Sequence, residues 1–247
     1  MAKRTIDINC DVGEGVRNEE ELFPLISSCN IACGGHAGSR ESILFCLELA
    51  KKYSVKVGAH PSYPDRENFG RVSMNISSDA LIQSIKEQLQ LFMSLCNQID
   101  VQLHHIKPHG ALYNDIAKDE HLAKTFLTGI EEFKKGVVLY VPHGSVIQTL
   151  ATNQGFKIAI EAFADRNYNT DLSLVSRKES NALITEGKEV LAHILRMYNE
   201  KEVKTVSGDN IPIIANTYCI HGDTPSALQI LAYITKHLSE HNLQVKS

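Results

Sequence analysis

Seven short apolar stretches recur along this chain, and each runs into polar side chains capable of chemistry. Their ends are Asp7-Ile8-Asn9-Cys10-Asp11 with Glu14, then His36, His60, Lys107 with His109, His143, Glu161 with Asp165 and Arg166, and His221 with Asp223. Carboxylates, imidazoles, an ammonium and a guanidinium are costly to bury unpaired. Seven such endings therefore converge on one wet, concave site, as the carboxyl ends of the strands do in a closed β/α barrel. Helical spacing between the stretches argues for a parallel sheet. The expected fold is α/β, a distorted seven-stranded (β/α) TIM-like barrel occupying residues 1–247 as a single domain. An open, doubly wound sheet is the alternative.

The predicted strands are Thr5 to Cys10, Ser28 to Cys33, Val55 to Ala59, Val101 to Lys107, Val137 to Val141, Lys157 to Phe163 and Ile213 to Ile220. Helical periodicity covers Ser39 to Tyr53, where Ile43, Leu44, Leu47 and Ala50 share a face. A second helix starts in Asn75-Ile76-Ser77-Ser78-Asp79, with serine or asparagine available as N-cap, and runs to Cys96. Further helices are predicted over Asp119 to Lys134 with basic residues in the last turn, after Pro142-His143-Gly144, over Glu179 to Asn199, and from Pro225 to His241.

A net charge of −4 and the lack of any basic run exclude a nucleic-acid binder driven by phosphate contacts. The six cysteines form no CxxC pair, and most stand in apolar strand or helix context, which points to free thiols and a reducing cytoplasm. The amino-terminal residues lack an apolar signal core, and no stretch reaches the roughly 18 apolar residues of a membrane span.

Asp7, Asn9 and Asp11 alternate along one strand and so point the same way. They require water, a metal or a cationic partner, unless the strand is a solvated edge. A calcium loop is excluded because Val12 stands where its turn glycine belongs. Gly34-Gly35-His36 is a glycine-rich strand-to-helix turn that lets a ligand approach the backbone, although His36 could equally be structural. No GxxxxGK[ST] phosphate loop occurs in the chain, and GxSxG, HExxH and Rossmann fingerprints are absent too. Lys107 could bind a carboxylate, polarise a carbonyl, act as a base if its pKa is depressed, or simply snorkel. Arg166 could hold a substrate carboxylate or pair with Asp165. Asp223 or Thr224 could be an N-cap. His104 and His105 sit mid-strand, at least one pointing outward, without an assigned role. His121, His193, His237 and His241 are expected on helix surfaces.

Six blocks in order resemble the LamB/YcsF family: DINCDVGEG (7–15), NIACGGHAG (30–38), GAHPSYPDRENFGR (58–71), KPHGALYN (107–114), EAFADRNY (161–168) and HGDTP (221–225). The family usually carries aspartate after HAG, where this chain has Ser39. The resemblance implies a barrel of the glycoside hydrolase/deacetylase type. It also implies ATP-dependent opening of 5-oxoproline to L-glutamate as the A subunit of 5-oxoprolinase, with subunits B and C as partners and Mg2+ accompanying ATP. The matching positions form the candidate site. Asp11, Glu14 or His60 is the candidate general base, and Lys107 and His109 the stabilisers of charge on oxygen. Arg166 is the candidate for the substrate carboxylate. Asp7, Asn9, His36, Glu161, Asp165, His221 and Asp223 complete the substrate-binding set. Two rival readings remain: a metal-dependent deacetylase or amidohydrolase with Asp11, His36 and His60 as ligands, and a non-catalytic lactam- or sugar-binding protein.

Overall fold

The computed structural model describes residues 4–17 and 19–246, so the expectation about the extreme amino terminus lies outside the described residues. In chain order the elements are β1 (Arg4–Val12), β2 (Ser28–Ala32), α1 (Arg40–Tyr53), β3 (Lys56–His60), α2 (Ser78–Gln98), β4 (Leu103–Ile106), α3 (Gly110–Ile116), α4 (Glu120–Gly129), β5 (Val138–Pro142), α5 (Val146–Asn153), β6 (Lys157–Phe163), α6 (Gly187–Leu195), β7 (Glu202–Lys204), β8 (Asn210–Pro212), β9 (Thr217–His221), α7 (Ala227–His237) and β10 (Leu243–Val245). Strands β1 to β6 and β9 are neighbours in that order, and β9 pairs back onto β1. The seven strands thus close a parallel barrel, and this closure excludes the open sheet.

The barrel is irregular in three places. Its ladder slips between Val57 and Gly58, where β3 meets β4. The β7–β8 pair is an antiparallel hairpin outside the barrel. Strand β10 pairs with Arg4–Ile6, ahead of the part of β1 that β2 uses.

Strand β1 shows why the sequence folds this way. Ile6, Ile8, Cys10 and Val12 are buried in the apolar core shared with the surrounding helices. Asp7, Asn9 and Asp11 face the barrel interior, where they are held by hydrogen bonds rather than by apolar packing. At the amino-terminal end of the barrel, Asp7 accepts from Ser28 Oγ (2.9 Å), Thr217 Oγ1 (2.8 Å) and Lys56 Nζ (2.8 Å). Asn9 Nδ2 donates to Thr217 Oγ1 at 2.8 Å. Asn30 Nδ2 donates to Asn9 Oδ1 and to Asp11 Oδ1, each at 2.7 Å, and Asn30 Oδ1 accepts from His105 Nε2 at 2.7 Å. A polar ladder therefore runs through the barrel from Asp7 to Asp11. Gly58 belongs to it sterically, since a Cβ there would lie 2.1 Å from His105 Nε2.

Helix starts follow local chemistry. Ser39 caps α1 through a reciprocal box with Ser42, and Ser77 caps α2 by accepting from Ala80 N at 3.3 Å. Buried Gln88 of α2 pins the loop after β3: its Oε1 accepts from Ser62 N at 3.0 Å and its Nε2 donates to Ser62 O at 2.9 Å.

Several boundaries differ from the sequence reading. Residues 179–186 are not helical, because their backbone pairs with the segment after β6: Asn167 N donates to Ala182 O and Ile184 N to Asp165 O. The helix expected from Glu179 therefore begins at Gly187 and ends in a π-helical turn, Arg196–Glu200. Strand β9 begins at Thr217 rather than Ile213, because Ile211 is held in the hairpin and Ile213 N donates to Lys201 O. Helix α4 stops at Gly129, leaving Lys134 and Lys135 beyond its last turn. His193 is half-buried rather than exposed: its ring packs beside Tyr168, and burial pushes its pKa down to about 4. All six cysteines are buried and free.

Candidate active site at the carboxyl ends of the strands

The carboxyl ends of the barrel strands open onto a cavity of about 660 Å³. Asp11, Glu14, His60, Lys107, His109, Glu161, Arg166 and His221 border it.

Lys107, the residue after β4, is 2 % exposed. Its Nζ lies 2.8 Å from Asp11 Oδ1, 3.1 Å from Glu161 Oε1 and 3.0 Å from Cys219 Sγ. Burial opposes its charge, but Asp11, Cys219 and Glu161 outweigh burial and hold its pKa well above the usual lysine value. Lys107 is thus an ammonium, and the base role that a depressed pKa would allow is closed to it. Asp11 shifts the other way. Burial would raise its pKa, yet His60 and Lys107 together bring it well below the usual carboxylate value.

A second cluster lies beside this pair. His36 Nε2 is 2.9 Å from Glu14 Oε1, His109 Nδ1 is 3.4 Å from the same oxygen, and His60 Nε2 is 3.9 Å from it. His60 Nε2 is also 3.4 Å from Asp11 Oδ2. The His36 and His109 rings stack with centroids 3.6 Å apart and planes 2° from parallel. Burial, reinforced by the neighbouring histidines, pushes both imidazoles toward neutrality, His36 to about 2. Burial first, then Asp11 and Asp223, raises the pKa of Glu14 well above the usual glutamate value. Gly70 backs the stack: with φ +61°, it would place a Cβ 2.9 Å from His36 Cβ and 3.0 Å from His109 Cδ2.

The third cluster is built on β9 and the segment after β6. His221 Nδ1 lies 3.0 Å from Asp165 Oδ1, and His221 N donates to Asp165 Oδ2 at 2.9 Å. Thr224 Oγ1 also donates to Asp165. Burial opposes ionisation of Asp165, but His221 and these hydrogen bonds lower its pKa. An ionised Asp165 fixes the proton of His221 on Nδ1 and leaves Nε2 as an acceptor.

Three loops meet at the rim. Asp223 pairs with Arg71 from the loop after β3 and lies 3.4 Å from Arg177 Nη2 of the loop after β6. Arg166 holds the latter loop: its Nη2 donates to Val175 O at 2.6 Å and its Nε to Ala182 O at 3.3 Å.

The structure thus brings together most of the residues selected from the sequence. Asn9, His36 and Asp165 are buried among the residues bordering the cavity, and Asp223 lies at its rim. Asp7 stands apart, at the opposite end of the barrel. The position where the family usually carries aspartate is a helix cap here: Ser39 is exposed and accepts from Ser42 N, a task serine and aspartate share. Sequence reasoning missed Asn30, His105, Tyr113, Arg71 and Arg177. Asn30, Arg71 and Tyr113 lie inside the six family-like blocks, and His105 follows the two-residue alternation that leads to Lys107. Among the described residues the buried Tyr113 hydroxyl has no hydrogen-bond partner, and burial together with Glu161 raises its pKa.

The model of the LamB/YcsF family matches residues 6–247. The chain belongs to the LamB/YcsF family. It is 37% identical over 242 residues to the 5-oxoprolinase A subunit of Haemophilus influenzae strain PittEE, covering 98% of this chain and 99% of that one. It is 39% identical over 244 residues to the 5-oxoprolinase A subunit of Histophilus somni strain 129Pt, covering 99% of each. The crystal structure of the lactam utilization protein from Thermus thermophilus superposes with a TM-score of 0.89 at 33% identity, covering 98% of this chain and 99% of that one. A putative cellobiose-phosphate cleavage protein from Enterococcus faecalis V583 shares the fold alone, with a TM-score of 0.56 at 12% identity over 100% of this chain and 98% of that one. Among the described residues, no helix is long and apolar enough to cross a membrane.

Proposed function

We propose that this LamB/YcsF-family chain is the ring-hydrolysing A subunit of an ATP-dependent 5-oxoprolinase, opening 5-oxoproline to L-glutamate with subunits B and C in the cytoplasm. The observation that carries this reading is the placement of the buried Lys107 ammonium and the Asp165-oriented His221 on one cavity. The names of the relatives, the 5-oxoprolinase A subunit and the lactam utilization protein, support a cyclic amide as the substrate.

A lactam amide is resonance-stabilised, so water attacks it slowly unless the ring is activated. The sequence has no phosphate loop, which supports leaving ATP and its Mg2+ to the partner subunits. In this reading the partners phosphorylate the lactam oxygen, and the barrel catalyses attack of water on the ring carbon. His221 Nε2 takes a proton from that water, while Asp165 holds the ring in place and stabilises the imidazolium that forms. Lys107 stabilises negative charge developing on oxygen, with Asp11 and Glu161 keeping it charged and fixed. The ring C–N bond breaks, the amine leaves with a proton returned by His221, and the γ-glutamyl phosphate so formed is hydrolysed by a second water to L-glutamate and inorganic phosphate. Because Arg166 is committed to loop carbonyls, we assign the substrate carboxylate to Arg177 and Arg71, which hold the Asp223 carboxylate at the rim.

The test combines the purified chain with subunits B and C, ATP, Mg2+ and 5-oxoproline, and measures glutamate. Glutamate that requires every component supports the reading. Glutamate from subunits B and C alone, or none from the full mixture, overturns it.

A further inference from the structure

Four side chains at and beside this cavity, Glu14, His36, His60 and His109, each offer one ligand atom, all within 4.8 Å of one another. All four side chains are nearly inaccessible to solvent, the most exposed at 6 %. Two of the imidazoles have their orientation fixed from behind. His60 Nδ1 faces Lys107 O at 2.7 Å, and His109 Nε2 faces Phe69 O at 3.0 Å. A carbonyl only accepts, so each of these far nitrogens carries the proton. The near nitrogens, His60 Nε2 and His109 Nδ1, are then bare in the neutral rings, yet they face each other at 2.9 Å. Two lone pairs at that distance repel unless a cation lies between them. Glu14 Oε1 adds a third electron-rich atom, and His36 Nε2 lies 2.9 Å from that oxygen, while His36 Nδ1 is buried without a partner among the described residues. One proton can satisfy the His60–His109 edge only, whereas one divalent ion satisfies all four donors.

We propose that Glu14, His36, His60 and His109 form a binding site for one divalent transition-metal ion, with zinc as its representative. Metal bonds of about 2.0–2.1 Å put the donors of a tetrahedral site about 3.3 Å apart. Four of the six edges in this cluster, 2.9 Å, 3.4 Å, 3.9 Å and 2.9 Å, straddle that value, the other two lie within 4.8 Å, and binding one ion requires the stacked His36 and His109 rings to part. Three imidazoles and a carboxylate suit zinc and its first-row neighbours rather than magnesium or calcium. The backbone carbonyls behind His60 and His109 are the outer-shell acceptors that metal-bound histidines require. Asp11, a ligand candidate from the sequence, lies outside this set: its Oδ1 is held by Lys107 and Asn30, and its Oδ2 reaches only His60, at 3.4 Å. The role of the ion rests on the lactam reading above, in which it would act as a Lewis acid on a carbonyl oxygen across the cavity from Lys107. Its binding does not rest on that reading.

The test strips the purified chain with a chelator, dialyses it and titrates it with Zn2+ alone, without partners or ATP. Co2+ provides the spectroscopic probe. The expected result is one equivalent of zinc per chain and the visible bands of tetrahedral Co2+. His36→Ala and His109→Ala should each weaken zinc binding at least about tenfold, whereas the exposed-site control His121→Ala keeps one equivalent. No stoichiometric zinc in the wild-type chain, or zinc held equally well by His36→Ala and His109→Ala, shows that a proton alone occupies the cluster and overturns the proposal. Glutamate formed by a stripped chain that binds no zinc overturns the site and leaves the ring-opening reading standing. Zinc bound without glutamate from the full mixture keeps the site and overturns the lactam reading.

Discussion

The Lys107 ammonium meets the Asp11 carboxylate at 2.8 Å, with both side chains almost entirely buried. Opposite pKa shifts follow, each favouring the charged form. The depressed Asp11 contributes stability above the ordinary carboxylate pKa of about 3.9, and this is lost as pH falls through its lower folded value. The raised Lys107 contributes stability below the ordinary lysine pKa of about 10.4, lost as pH rises through its higher folded value. The pair therefore stabilises the fold across the whole neutral range.

Removing one partner strands a buried charge. Asp11→Asn is expected to destabilise the chain by about 3–5 kcal/mol at pH 7. The difference from wild type should shrink at acid pH, once Asp11 is itself protonated. Urea unfolding of both proteins at neutral and acid pH measures this, and a pH-independent difference would contradict the account.

The Asp165–His221 arrangement makes a kinetic prediction. Asp165→Asn should lower kcat for glutamate formation by about 10²-fold or more, with little change in KM, because the imidazole loses the partner that fixes its tautomer. Steady-state kinetics on the reconstituted enzyme separate the two constants.

The two arginine roles are distinguishable. Arg177→Met should raise KM for 5-oxoproline about tenfold or more with kcat nearly intact, as expected for loss of a charge-assisted contact worth about 1.5–3 kcal/mol. Arg166→Met should act mainly on stability, because it frees the carbonyls of Val175 and Ala182 that tie down the loop after β6. Kinetics and thermal melts of the two variants should show opposite patterns.

Gly70→Ala places a methyl group against the histidine stack in a left-handed backbone conformation. The expected cost is about 1–3 kcal/mol, read by chemical denaturation.

Particular residues show how far the sequence could be read. The alternation of Asp7, Asn9 and Asp11 against Ile8 and Cys10 was legible as a strand with one polar face, and the barrel followed from seven such strands. Asp7 misled as a site residue because alternation gives the face but not the depth; two residues along a strand move a side chain about 6.6 Å. The 179–186 segment read as helix because Ala182 and Ile184 carry no periodicity that reveals their pairing with residues 165–167. Arg177 was invisible because its place on the cavity depends on a loop fold that no local pattern encodes. His105 was left without a role, and Asn30 escaped notice, because a polar barrel interior runs against the usual branched apolar filling.

In the proposed reaction Lys107 acts from inside this barrel. Its most direct test is Lys107→Met in the reconstituted three-subunit enzyme, with folding checked by circular dichroism and glutamate measured at saturating ATP. The expected loss is about 10²- to 10³-fold in kcat, the scale of removing a charge-stabilising donor. A folded variant that keeps kcat within about threefold of wild type, far short of that scale, would contradict it.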